Sequence, residues 1–217
     1  MKICCISDTH RAHREVEVPP VDMVIHAGDI GLEDYNGFAL LNDFIDWFNN
    51  LPAKHKIFIS GNHDWLSYLN KQMLFDLAKE NGLIYLQDSS VTIEGLKFYG
   101  SPWSLEFNNW AWNLRRDETI ATACWNQIPE DTDVLITHEP PYNILDYVVR
   151  GDSVITPPLG DCWLLDRIEQ IKPKLHVFGH IHFCGRQTLK IQDTLFVNAS
   201  ICNEVYETIN PPIVVEI

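Results

Sequence analysis

Seven side chains of the kinds that bind transition metals, with one further histidine among them, stand directly behind short apolar runs of this chain. They occur as Asp8-Thr9-His10, Gly28-Asp29, Gly61-Asn62-His63-Asp64, His138 and Gly179-His180-Ile181-His182. Carboxylate and amide oxygens mixed with imidazoles suit Zn²⁺, Mn²⁺ or Fe rather than Ca²⁺. Asp8, His10, Asp29, Asn62, His138, His180 and His182 are too many ligands for one ion, but they suit two ions sharing a carboxylate. Such a pair activates a water and clamps the attacking and leaving oxygens of a displacement. The pattern predicts a two-metal hydrolase.

The apolar runs at 3–6, 23–25, 57–59, 134–136 and 175–178 read as strands buried on both faces. In open α/β sheets, ligands bind outside the carboxyl ends of the strands, so all five motifs would meet in one crevice. Helices are predicted over 38–48, 67–80 (with Gly82 as its C′ residue), 119–126 and 162–171. The alternation of strands with helices in the first half implies right-handed crossovers and a largely parallel core sheet. Residues 91–93 and 96–99 read as a hairpin, and 101–116 is aromatic-rich without a clean period. A Pro-rich loop at 139–142 opens a long connection to about residue 159. Strand signals at 188–191, 194–197 and 213–215 suggest a second, antiparallel-rich sheet. Residues 1–217 are expected to form one domain, because the ligands run from Asp8 to His182 and must meet.

Each motif also has a purely structural reading, and only the conjunction favours chemistry. Asp8 and His10 lie two apart, so an extended backbone would send both to one face; the alternative is a polar turn with a capping Asp. Gly28-Asp29 places a carboxylate where the backbone can come close, as a bridging ligand requires, although Gly-Asp also marks ordinary turns. Asn62 offers a neutral carbonyl, His63 a proton donor, and Asp64 a carboxylate to orient that imidazole. The same residues could form an Asx-turn and a helix cap. His180 and His182 could face solvent on an edge strand, and His138 could be a satisfied loop histidine.

A net charge of −14 argues against a non-specific nucleic-acid binder. An anionic substrate remains open, since two divalent cations would reverse the local sign. With no run of 18 apolar residues and no basic leader, a cytoplasmic protein without membrane contact is expected. The six cysteines form no C-x-x-C pair, so reduced packing roles are expected for Cys4 and Cys5.

In these ordered motifs the sequence resembles the calcineurin-like metallophosphoesterase superfamily. Further stretches (5–10, 25–29, 101–103, 137–141, 174–182, 197–200 and 210–213) resemble its compact metallophosphoesterase-domain proteins, grouped with class III cyclic nucleotide phosphodiesterases. The resemblance implies a four-layer αββα sandwich with two mixed β-sheets. It implies that Asp8, His10 and His182 hold one divalent metal ion, that Asn62, His138 and His180 hold a second, and that Asp29 bridges them. His63 would stand near the leaving group with Asp64 as its partner, and a hydroxide bridging the ions would attack phosphorus in line. Some vertebrate members of the subgroup lack the first histidine of the final pair, whereas this chain keeps His180.

The arginines that follow the Gly-Asp and Asn-His motifs of protein phosphatases are missing here, and so acidic a chain does not suit long nucleic acid. The expected substrate is a small phosphodiester, with the resemblance favouring a cyclic nucleotide. Arg11 and His13 are candidates for phosphate contact, and Trp103 for stacking on a base. A phosphomonoesterase, or a nucleotide-binding or scaffolding module without catalysis, stands as the alternative.

Overall fold

The computed structural model describes residues 1–33, 37–150 and 153–217. Its strands are β1 (Lys2–Ile6), β2 (Val21–Ala27), β3 (Ala53–Ile59), β4 (Ile84–Tyr85), β5 (Ser89–Ile93), β6 (Leu96–Ser101), β7 (Ser104–Leu105), β8 (Asn113–Leu114), β9 (Val134–Thr137), β10 (Val149–Arg150), β11 (Ser153–Val154), β12 (Leu175–Phe178), β13 (Gln187–Ile191), β14 (Thr194–Asn198) and β15 (Ile213–Glu216). The helices are α1 (Gly37–Asn49), α2 (Trp65–Leu69), α3 (Lys71–Glu80), α4 (Glu118–Trp125) and α5 (Cys162–Ile171).

Alternation along the strands sorts the core into three layers. Ile3, Cys5, Ile25 and Ile57 face Phe98, Val134, Ile136 and Val177 of a second sheet. On the outer face of the first sheet, Cys4, Ile6, Val24 and Phe58 lie under Leu41, Phe44 and Phe48 of α1 and Leu74 of α3. On the outer face of the second, Tyr99, Leu135 and Phe178 lie under Ala121 and Trp125 of α4 and Leu164 of α5. A period of two therefore gives every central strand two buried faces, and the result is a four-layer αββα sandwich. Cys4 and Cys5 are free and buried within it.

The sheets run β15-β1-β2-β3-β4 and β13-β14-β12-β9-β6-β5. In the first, β1 to β4 are parallel and β15 is antiparallel to β1. In the second, β6, β9, β12 and β14 are parallel, with the antiparallel strands β5 and β13 at its edges. The tail thus departs from expectation. Strands β13 and β14 join the second sheet, but β15 crosses to the first. Both edges of the parallel core of the second sheet are already covered by hairpins, whereas β1 has an open edge where Ile213 and Val215 can reach the inter-sheet core.

The helix expected over 67–80 is two helices. Asn70 separates them at φ −134°, and its side-chain amide donates to the Leu66 carbonyl, closing α2. Gly82 follows α3 at φ +68°, as a C′ glycine does. Asp117 and Asp161 cap α4 and α5 by accepting from backbone amides of their first turns. The long connection after Tyr142 includes residues 151 and 152, which lie outside the described residues. Among the described residues no helix is long and apolar enough to cross a membrane.

Candidate metal centre

Each expected ligand does sit at a strand end, but extended backbone does not aim them. Asp8, His10, Asp29 and His180 all have left-handed backbone, with φ of 52°, 40°, 56° and 67°. Non-glycine residues rarely adopt this region, and such strain concentrates at functional sites. The turn after β1 is fixed by bonds to the turn after β2. The amides of Asp8, His10 and Arg11 donate to the carbonyls of Gly28, Asp29 and Ile30 at 2.9, 3.1 and 2.9 Å. Two glycines let the motifs close up. A Cβ on Gly28 would lie 2.7 Å from His138 Nδ1, and one on Gly179 would lie 2.0 Å from Asp8 Oδ2.

Among the described residues the donor atoms converge in three groups. Asp8, His10 and His182 form one, Asp8, Asp29 and His138 another, and His10, Glu33 and His63 a third at the rim, each with donor atoms within 4.8 Å of one another. His138 Nδ1 lies 3.0 Å from the Ala27 carbonyl, and His182 Nδ1 lies 2.9 Å from the Asn203 carbonyl. A carbonyl only accepts, so both Nδ1 atoms carry the proton and the Nε2 lone pairs point inward. His182 Nε2 faces Asp8 Oδ1 at 3.2 Å, and His138 Nε2 faces Asp29 Oδ2 at 3.3 Å and Asn62 Oδ1 at 2.9 Å. Lone pairs aimed at lone pairs in a buried site call for a cation between them. His10 Nε2 lies 3.2 Å from His182 Nε2, and the His180 ring lies 5.1 Å from that of His138. The donor set fits two transition-metal ions.

The same two gaps draw a proton when no cation fills them. Burial opposes charge on His138, but the Asp29 carboxylate overrides it and pushes the imidazole up to about 10. His182 is raised in the same way by Asp8, against burial. Burial also works against the two carboxylates, yet the facing imidazoles hold both Asp8 and Asp29 below the usual range. His10 and His180, dominated by burial, fall to about 4 and about 3. Asp8 is further held by the Ser200 hydroxyl at 2.8 Å and by the His180 amide at 3.1 Å.

Asp64 is not the partner of the His63 ring. Its carboxylate is fully buried and accepts from the backbone amides of Ile30, Gly31, Leu32 and Gly61, pinning the turn after β2 to the turn after β3. Burial and the nearby Asp29 charge raise it to about 6, despite those amides. The His63 ring instead bonds Glu33 through Nδ1, and its backbone amide donates to Asp29 Oδ1 at 2.8 Å. Burial lowers the His63 pKa, but the Glu33 bond and the Asp29 charge outweigh it and raise the ring. A carboxylate four residues beyond Asp29 was the available signal for Glu33.

The three expected substrate contacts lie outside the cleft. His13 is fully buried against Phe44 and Trp47 with Nε2 on Asp43 at 2.9 Å, so it is a packing residue. Trp103 packs edge-on against Trp112 and donates its indole N–H to Asp88 at 2.9 Å. Arg11 is exposed at the edge of the site, its Nε donating to the Gly31 carbonyl at 3.0 Å and Nη2 lying 3.9 Å from Glu33. The cleft itself, about 350 Å³, has Asp29, Asn62, His180 and His182 on its floor. Its walls include Leu105, Phe107, Trp110, Arg116, Glu139 and Tyr206, of which only Glu139 falls in a stretch that carries the family resemblance.

Comparison with known proteins places the chain among relatives of the same fold. Metallophosphoesterase domain-containing protein 1 of Homo sapiens is 36% identical over a 243-position alignment covering 100% of this chain and 71% of that one, and the Mus musculus protein gives the same values. The phosphopantetheinyl hydrolase of Mycobacterium tuberculosis shares the fold, with a TM-score of 0.57 at 16% identity over 94% of this chain and 90% of that one. A Thermus thermophilus structure matches with a TM-score of 0.57 at 13% identity, covering 91% and 88%. Residues 1–184 match the family model described as calcineurin-like phosphoesterase, and the chain belongs to that family of metal-dependent enzymes that hydrolyse phosphate esters.

Proposed function

We propose that the cleft hydrolyses a small phosphodiester, a cyclic nucleotide being the class favoured by the sequence resemblance, at two divalent ions of the Mn, Fe or Zn type. Asp8, His10 and His182 would hold one ion, Asn62, His138 and His180 the other, with Asp29 between them. The reading is carried by His138 and His182, each of whose lone pairs faces a buried carboxylate at 3.3 and 3.2 Å with its other nitrogen committed to a carbonyl. A single proton could sit in either gap, but further donors beside them, His10 Nε2 3.2 Å from His182 Nε2 and Asn62 Oδ1 2.9 Å from His138 Nε2, match a pair of larger cations. When bound, two such ions supply a water of lowered pKa as nucleophile and neutralise the phosphoryl oxygens.

The chain's own contribution to leaving-group departure would come from His63. Its backbone is tied to Asp29, and its ring lines the cleft 5.0 Å from that of His10. Glu33 on Nδ1 favours the charged ring and leaves Nε2 to give a proton to the departing oxygen. Such general-acid help is worth roughly 10²–10⁴ in rate. The Asn62 side chain, nearly fully buried, has an amide nitrogen without a partner among the described residues, and it can donate to a phosphoryl oxygen. Turnover of bis(p-nitrophenyl) phosphate with added Mn²⁺, beside an Asn62→Ala control, tests the reading. Strong wild-type hydrolysis lost in the variant is expected; equal rates would refute it.

A further inference from the structure

The wall of the cleft is tied to its floor by backbone hydrogen bonds. The amide of Ala111 donates to the Asn62 carbonyl at 3.0 Å, so Trp110 is locked in register with a ligand motif. Upstream, Leu105 N–H is held by Glu139 Oε2 at 3.0 Å, and Ser104 N–H by the Trp112 carbonyl at 3.1 Å. Across the cleft, the Asn203 carbonyl that fixes His182 belongs to the turn that presents Tyr206, whose amide donates back to that same carbonyl at 3.0 Å. Trp110 lies 4.7 Å from the His63 ring and 5.4 Å from Phe107, and Tyr206 lies 4.5 Å from the His10 ring. Phe107 and Tyr206 are 58% and 51% exposed, a large aromatic surface left open beside a polar centre. Water gains nothing from such a surface, whereas a flat ligand would cover it.

We propose that Trp110, with Phe107 beside it and Tyr206 across the cleft, stacks on a planar ring carried by the substrate, so that affinity is set by a heteroaromatic base and not by the sugar-phosphate alone. The assignment deepens the phosphodiesterase reading and rests on it. Stacking on an aromatic side chain is worth roughly 1–3 kcal/mol per base, or about 5- to 160-fold in affinity. The role belongs to Trp110 because it faces the cleft beside His63, while Trp103 is turned away onto Asp88.

Calorimetry on the Mn²⁺-loaded protein tests it, with adenosine 5′-monophosphate and ribose 5-phosphate as probes that share a phosphate and differ in the base. The wild type should bind the nucleotide tighter by a factor within that range. Trp110→Ala should erase most of the difference while keeping its metal, and Trp110→Phe should restore much of it. Equal affinities in the wild type, or a preference untouched in Trp110→Ala, would overturn the assignment. Metal lost from Trp110→Ala would do so too, since the residue would then be a structural prop. Wild-type hydrolysis of bis(p-nitrophenyl) phosphate, measured beside these titrations, separates the two levels. Its absence removes the phosphodiesterase reading, whereas its presence with equal affinities removes the stacking assignment alone.

Discussion

The floor and the wall of the cleft are made in opposite ways. Floor residues come from the ends of parallel strands, where Asp8, Asp29, Asn62 and His138 are almost wholly buried and their neighbours are fixed by sheet pairing. Wall residues such as Phe107, Trp110 and Tyr206 come from irregular segments, half-buried or exposed, tied down by single backbone bonds to the floor. A strand order can place a ligand to a fraction of an ångström. An irregular segment is placed only by whichever hydrogen bond reaches it. On this division, chemistry resides in the floor and selectivity in the wall, and substitutions in the two should fail differently.

The largest effect is expected at Asp29, which touches both histidine sets. Asp29→Asn should bring diester turnover down to the level of the chelator-treated protein and lower the metal content, read by rate and elemental analysis together. Retained turnover would dissolve the distinction between floor and wall.

His63→Ala should lower kcat by roughly 10²–10⁴ with metal content unchanged, since Nδ1 is taken by Glu33 and Nε2 is left to donate a proton. Glu33→Gln should give a smaller loss of the same kind, with KM unmoved. Metal lost from His63→Ala would instead place His63 among the ligands.

A histidine beneath the second sheet sharpens the contrast. His138 and His182 are raised by carboxylates, whereas His176 is wholly buried, has no carboxylate partner among the described residues, and is lowered by burial to about 3. The Thr137 hydroxyl donates to the Glu139 carbonyl and accepts from His176 Nε2–H, which fixes the tautomer, while burial keeps the ring neutral. The unfolded chain takes up a proton near 6.5 that the folded state refuses, so stability is full above that pH and is lost as pH falls toward 3. Between pH 7 and pH 5 this group should cost roughly 2 kcal/mol. Denaturant unfolding of the wild type against His176→Gln checks it: the variant should show a flatter pH dependence.

The smallest effects are expected where the sequence pointed and the chain does not put a contact. His13→Gln and Trp103→Phe should leave kcat/KM on a small diester unchanged, whatever they cost in stability. A large loss in kcat/KM would return those residues to the site.

These cases show what was legible. Apolar runs followed by polar motifs identify strand ends; parallel pairing then sets Asp8 beside Asp29 in one sheet and His138 beside His180 in the other, and the facing of the two sheets brings Asp8 to His182. The sandwich came from the family resemblance; the strand pattern by itself gave a largely parallel core sheet and a second, antiparallel-rich one. Local turn geometry was hidden: the left-handed backbone of Asp8 and His10 follows from bonds to the turn after β2, which no spacing reveals. Asp64 was misassigned because adjacency to His63 in sequence does not set ring partners; four backbone amides occupy it, and Glu33 arrives from another turn. Trp103 and Trp110 belong to one aromatic segment, and only the bond from Ala111 to Asn62 separates a cleft residue from a packing one. The placement of β15 depended on which sheet had an edge left open, a property of the assembled fold.

The most direct measurement is the number of metal ions per chain after reconstitution with Mn²⁺ and removal of excess, taken on the wild type and on Asp29→Asn. Close to two ions per wild-type chain, with a clear fall in the variant, is the expected result. A wild-type chain holding no stoichiometric metal would contradict the paired-ion centre and, with it, the division of the cleft into a reacting floor and a selecting wall.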